Sequence, residues 1–189
     1  MKKIVSVFLA LFFAMTMLNA QQRDHKNAFK TTFLSFYTGS AKLTYERAVK
    51  LGQSFEITGG GIGLGYDSFG MKPKGALFRF AYKFIFFPQE HFLLNGLYLK
   101  PELAISCFSY DAVEAVGRKM SNMGTLMACV GYQWAKKIFI AEGFVGMGVG
   151  YGNDSDYEYH HGFVDRFGWL TFTFGLKVGF TFGNKSTLL

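Results

Sequence analysis

From Leu170 to Phe182 every second residue is apolar: Leu170, Phe172, Phe174, Leu176, Val178, Phe180 and Phe182. Between them stand Thr171, Thr173, Gly175, Lys177, Gly179 and Thr181. Successive side chains on a strand point to opposite faces, so the segment has one greasy face and one small or polar face. A half-buried strand of a water-soluble protein alternates in this way over about 4–8 residues. The run here is longer, and a tilted strand crosses a bilayer with about 9–11 residues. The pattern predicts a membrane-spanning β-strand.

The same two-residue rhythm divides the rest of the chain into seven more strands. They cover about Phe29–Thr38, Lys42–Lys50, Ser54–Asp67, Ala76–Phe87, Gly96–Tyr110, Met123–Ala135 and Ile138–Tyr151, with the eighth at Trp169–Phe182. Strand four sends Phe78, Phe80, Tyr82, Phe84 and Phe86 to one side and Arg79, Ala81 and Lys83 to the other. Strand five opposes Leu97, Leu99, Leu103 and Ile105 to Tyr98, Lys100, Glu102 and Ser106. Strands six and seven repeat the division, with Gln133 and Glu142 on the polar side. A slip of one residue would turn every charge into lipid, so the register is strongly specified. Strand three changes phase between Phe55–Ile57 and Ile62–Leu64–Tyr66, which predicts a β-bulge near Gly59-Gly60-Gly61. Strand one shows no clear phase. Short turns alternate with longer loops after strands three, five and seven, as expected of a bacterial barrel whose N-terminus lies in the periplasm. The fold class is therefore all-β: an eight-stranded antiparallel up-and-down transmembrane β-barrel.

Composition narrows the setting. Lys2 and Lys3, the apolar run Ile4–Ala14 and the small-residue site Leu18-Asn19-Ala20 read as a secretory signal peptide over residues 1–20. A leader (21–28), the barrel (29–182) and a tail (183–189) complete the expected organisation. Without Lys2 and Lys3, 18 basic residues face 13 acidic ones. An exported chain with no clustered basic run does not suit nucleic acid, and lipid headgroups or lipopolysaccharide phosphates are the better anionic partners. Gly is plentiful and Pro scarce, at 23 and 3 residues, as strands and turns without long helices require. Cys107 and Cys129 fall on opposite faces, so two free thiols are expected rather than a bridge.

The inward face carries the candidate chemistry. Glu46, Glu56, Glu102 and Glu142 are expected to oppose Arg79, Lys83, Lys100 and Lys177. An eight-stranded barrel has room for side chains but not for an aqueous channel, and buried charges demand pairing. An ion-pair plug is the structural reading; a gated ion or solute path is the alternative. Two inward glycine columns are expected, Gly61, Gly63 and Gly65 on strand three and Gly146, Gly148 and Gly150 on strand seven. They give room to large neighbours or else border a vestibule open to the outside. Asp154, Asp156, Glu158, His160 and His161 cluster in the longest loop, but their spacing matches no EF-hand, and a solvated loop is the plainer reading. No His lies on a strand beside a Ser, so a hydrolase base is missing. A lipid-modifying enzyme is disfavoured, and no cofactor or metal is expected.

Leu43-Thr44-Tyr45-Glu46-Arg47 resembles a signature of small outer-membrane barrels from Bacteroidetes-type bacteria, a domain-of-unknown-function family. Arg79–Phe84, Leu97–Glu102 and Gly131-Tyr132-Gln133-Trp134 are similar to further stretches of that family. The resemblance covers most of the mature chain and implies an eight-stranded barrel with no established activity. The last strand also looks like a barrel-assembly signal, although Gly183–Leu189 extend beyond its final aromatic residue. The expected product is a monomeric outer-membrane barrel inserted by the barrel-assembly machinery. It would act in adhesion or envelope integrity through loops Asp111–Asn122 and Gly152–Gly168, which offer surface for an extracellular ligand. The alternative function is a narrow pore.

Overall fold

A computed structural model describes residues 25–67, 70–88, 93–111, 117–136, 138–153, 164–167 and 169–183, the last strand-like piece before Gly168 by its backbone alone. The signal peptide, most of the leader, His91, the Asp154–His161 cluster and the tail beyond Gly183 lie outside the described residues. Nine strands are formed within them: β1 (Asn27–Thr32), β2 (Ser40–Lys50), β3 (Gln53–Ile62), β4 (Lys74–Phe86), β5 (Gly96–Asp111), β6 (Arg118–Lys136), β7 (Phe139–Gly152), β8 (Val164–Phe167) and β9 (Leu170–Phe182). Each of β1 to β7 pairs antiparallel with the next, β7 pairs with β9, and β9 returns to β1 through Asn27↔Phe182 to Thr32↔Lys177. Eight strands thus close an up-and-down barrel without a free edge.

β8 is a ninth piece in what the sequence pattern left as loop. β1 leaves the wall after Thr32 and winds into a 3-10 turn at Phe33–Thr38. That exit frees the upper half of β9, where Val164↔Thr173 to Phe167↔Leu170 pair instead. Backbone donors and acceptors that β1 abandons are thereby satisfied. The tight β2–β3 hairpin turns on Leu51-Gly52, with Gly52 at φ 76 in the left-handed region that suits glycine. Pro101 sits inside β5; the ladder to β4 skips Tyr82 and Lys83 and resumes at Phe84↔Leu99 in unchanged register.

The alternation sorts side chains as the sequence predicts. Phe78, Phe80, Leu103, Leu126, Val145, Phe174 and Leu176 are exposed on the outside. Cys107 is exposed and Cys129 buried, both as free thiols. β6 starts five residues earlier than its apolar rhythm, because Arg118–Asn122 pair with Cys107–Asp111 above the apolar belt. A strand polar on both faces carries no periodic signal there.

Strand three requires a correction. No bulge occurs at Gly59-Gly60-Gly61: the ladders to β2 and β4 run unbroken through all three. Ile62 points inward, 3% exposed, beside Leu77, Phe108 and Tyr110. The chain then turns at Gly63, φ 89, and leaves the sheet. Leu64 and Tyr66 mimic a phase change only because they no longer belong to the strand. Gly61 consequently shares the outward parity of Ile57, and Gly63 and Gly65 lie beyond β3, so these three form no inward column. A Cβ on Gly65 would fall 2.3 Å from the Phe36 carbonyl oxygen, so close backbone approach explains that glycine.

Three layers fill the barrel. At the end holding the termini, Leu93 and Leu94 fold back from the β4–β5 connection onto Ala28, Ala48 and Ile140. Charged residues occupy the middle. Ile62, Leu77, Phe108 and Tyr110 close one side of the loop end.

Candidate functional site: the interior ion network

Strand parity sets the network. β2 and β3 place Glu46 opposite Glu56, β7 and β9 place Glu142 opposite Lys177, and β4 and β5 place Ala81 opposite Glu102. All four glutamates, together with Lys83, Lys100 and Lys177, are at most 4% exposed. Like charges forced together at Glu46 and Glu56 need cations between them.

Lys30 supplies the first. Its Nζ donates to Glu46 Oε2 at 2.6 Å and makes shorter contacts with Glu56 and Glu142. Lys83 Nζ reaches the same three, at 3.5 Å from Glu46 and 3.0 Å from both Glu56 and Glu142. Lys100 bridges Glu56 at 3.1 Å and Glu102 at 3.0 Å, and Lys177 lies 3.0 Å from Glu56. Arg79 Nη1 donates to Glu102 at 2.9 Å. Neutral groups complete the set. Tyr98 donates its hydroxyl to Glu142, Ser54 donates to Glu46 at 2.6 Å, and Gln133 accepts from Lys83 at 2.6 Å while donating to the Leu94 carbonyl at 2.7 Å. That last bond ties the network to the leucine layer below.

Rings finish the enclosure. Lys83 Nζ stands 4.3 Å from the Tyr98 ring centroid, and Lys100 and Lys177 stand 4.4 and 5.1 Å from that of Phe144. Such desolvated cation–π contacts stabilise the ammonium groups where water is excluded.

Glycines on β6, β7 and β9 make space for these side chains. A Cβ on Gly131 would lie 2.4 Å from the Tyr98 hydroxyl, and one on Gly175 would lie 2.9 Å from the Phe144 ring. Gly146, Gly148 and Gly150 do share the inward parity of Glu142. At Gly146 a Cβ would meet Cys129 Sγ at 2.4 Å, at Gly148 the Leu126 carbonyl at 2.0 Å, and at Gly150 Thr171 Oγ1 at 2.4 Å. Close neighbours occupy the room these glycines provide. Gly131→Val should push Tyr98 off Glu142 and destabilise the barrel by about 1–3 kcal/mol through the buried polar group left unpaired. Urea unfolding of the detergent-refolded chain measures it.

Glu46, Glu56 and Glu142 bring carboxylate oxygens within 4.8 Å of one another, a donor set that suits a hard divalent cation. Two lysine ammonium groups already touch all three residues, so the charge that a metal would bring is present in the chain. The arrangement is electrostatic cross-linking of strands. His25 lies at the terminal end, its Nδ1 3.0 Å from the Gly183 carbonyl.

The sequence pattern named eight of the network charges and missed Lys30, and it also missed Lys42, a further interior lysine toward the loop end; both are at most 4% exposed. Lys42 has the parity of Glu46, which is signal enough. Lys30 sits on a strand too short to establish a phase.

No family model matches this chain, and no curated protein matches it. Among solved structures, the crystal structure of the N-terminal β-barrel domain of Pseudomonas aeruginosa OprF is similar, with a TM-score of 0.49 and 17% sequence identity over 86% of this chain and 98% of that one.

Proposed function

We propose that the chain is an outer-membrane barrel sealed along its axis, serving a structural or surface-interaction role, adhesion or envelope integrity, through its loop end. The small outer-membrane barrels of Bacteroidetes-type bacteria, which its motifs resemble, are the family this reading assigns it to. The observation that carries the proposal is the inversion of ordinary burial: apolar side chains outside, charges inside. An exposed belt of Phe, Leu, Val and Ile around a whole sheet is unfavourable in water and favourable in hydrocarbon. No described helix is long and apolar enough to cross a membrane, so any crossing by the described residues is made by strands. Aromatic side chains rim the belt. Phe29 stacks on Phe182 at 5.1 Å and adjoins Tyr45 at 5.4 Å near the termini, while Tyr151 and Trp169 are exposed at the loop end. Such rims suit membrane–water interfaces.

Against a pore stands the sequence of layers along the axis: leucines, then interlocked ion pairs, then a partly aromatic cluster. A small open recess lined by Leu77, Arg79, Ser106 and Thr125 favours a narrow pore as the second reading. Planar-bilayer recording separates the two. The refolded full chain should give no stable unitary currents; steady steps of one amplitude would overturn the sealed reading. Recovery of the expressed chain from membranes only with detergent tests the membrane assignment separately.

A further inference from the structure

Above the ion network, toward the loop end, the interior changes chemistry. Ser106 on β5, Thr125 on β6 and Thr171 and Thr173 on β9 turn inward at 5%, 3%, 0% and 2% exposure. None of their hydroxyl oxygens meets a hydrogen-bond partner. Buried polar groups are nearly always paired, and a group of orphans marks an occupant that is not protein.

Two of these side chains share a space. Ser106 and Thr125 line a recess with Leu77, Arg79, Ala104 and Met123, about 260 Å³ including its open mouth. Thr171 crowds the same corner, because a Cβ on Gly150 would lie 2.4 Å from its hydroxyl and 3.1 Å from Thr125 Cγ2. Lys42 lies next to Leu77 across β3: a Cβ on Gly60 would lie 3.0 Å from its Cγ and 3.1 Å from Leu77 Cγ.

Charge selects the occupant. Among the described interior residues, Lys30, Lys42, Arg79, Lys83, Lys100 and Lys177 outnumber Glu46, Glu56, Glu102 and Glu142. The carboxylates of Glu46, Glu56 and Glu142 gather in the central knot, leaving Glu102 as the acid closest to the recess, already held by Arg79 and Lys100. Arg79 spends one terminal nitrogen on Glu102 and has further N–H donors to offer. The lining is mostly apolar, and its polar groups are the Ser106 and Thr125 hydroxyls and the Arg79 guanidinium, a donor set with positive charge and no carboxylate, which repels a cation. A pocket this small also excludes a nucleotide or a lipid headgroup.

We propose that the recess lined by Arg79, Ser106 and Thr125, with Thr171 next to Thr125 and Lys42 next to Leu77, binds a small monovalent inorganic anion of halide type. The anion would accept hydrogen bonds from the hydroxyls and the guanidinium and offset part of the interior positive charge. The inference depends on the interior geometry and not on what the loops bind.

Crystals of the refolded full chain soaked in bromide test it through anomalous scattering. A bromide peak within hydrogen-bonding distance of the Ser106 or Thr125 hydroxyl is the expected result. Ordered water alone in the recess, or bromide confined to the outer surface, overturns the proposal. In solution, chloride-35 resonance should be broadened by the micellar protein, with displacement by bromide. Thr125→Val, close in shape, should lose most of that broadening while keeping the folded band on a cold gel. Lys50→Met, on the exposed hairpin, should keep both. Broadening that survives Thr125→Val unchanged sinks the site.

Discussion

Replacing Lys30 with methionine should destabilise the barrel by about 3–5 kcal/mol, because it strands buried carboxylates without their cation. Lys30 is the ammonium group in closest contact with Glu46, Glu56 and Glu142, and its side chain is fully buried. Three strands that are not all neighbours, β2, β3 and β7, are linked to β1 through that one nitrogen. Lys83 also reaches all three acids, which places the effect toward the lower part of that range rather than beyond it. Equilibrium urea unfolding in micelles, followed by the heat-shifted gel band, gives the number. Lys50→Met, on the exposed β2–β3 hairpin, is the matching control and should change little.

The sign of a second substitution discriminates the cause. If unpaired charge rather than lost packing drives the loss, Glu46→Gln in the Lys30→Met background should recover part of it, although Glu46→Gln alone is destabilising. Non-additivity of that kind is the signature of residues in one network. Raising the salt concentration should leave the wild-type advantage nearly intact, since buried pairs are screened far less than exposed ones. Lys30→Met as harmless as Lys50→Met would remove the network from any account of stability.

How far the sequence revealed this interior depended on how long each strand stays inside the apolar belt. β4, β5, β7 and β9 cross it fully, so each alternate residue must suit either hydrocarbon or the charged core, and parity is plain. β1 spans only Asn27–Thr32 before the 3-10 turn, and the phenylalanines at 29, 33 and 36 fall on both parities. Lys30 was therefore invisible as an interior charge. In β3 the error came from the opposite direction, as apolar residues beyond Gly63 extended a pattern the strand had already ended. Leu93 and Leu94 gave no periodic signal, because they are buried by a connection folding back and not by a strand. β8 follows from a vacancy in the wall, a tertiary fact that Val164-Asp165-Arg166-Phe167 does not announce.

The outer face makes its own demand, and Leu176→Arg tests it most severely. Leu176 lies halfway along β9, is 52% exposed, and pairs with Gly143 on the neighbouring strand. An arginine there cannot reach either rim without distorting the belt, so a loss of about 2–4 kcal/mol is expected for unfolding from lipid vesicles. Tyr151, 78% exposed at the loop end, sits where a charge can meet water, so Tyr151→Arg should cost about 0–1 kcal/mol. Leu176→Phe keeps the surface apolar and should be tolerated, which shows that polarity and not size is responsible. The steep dependence on height is the point of the comparison: a water-soluble sheet would accept arginine at both positions with small and similar effects. Equal costs at Leu176 and Tyr151 would mean that no hydrocarbon slab surrounds β9, and the inverted burial of this chain would then need a protein partner to cover its outside.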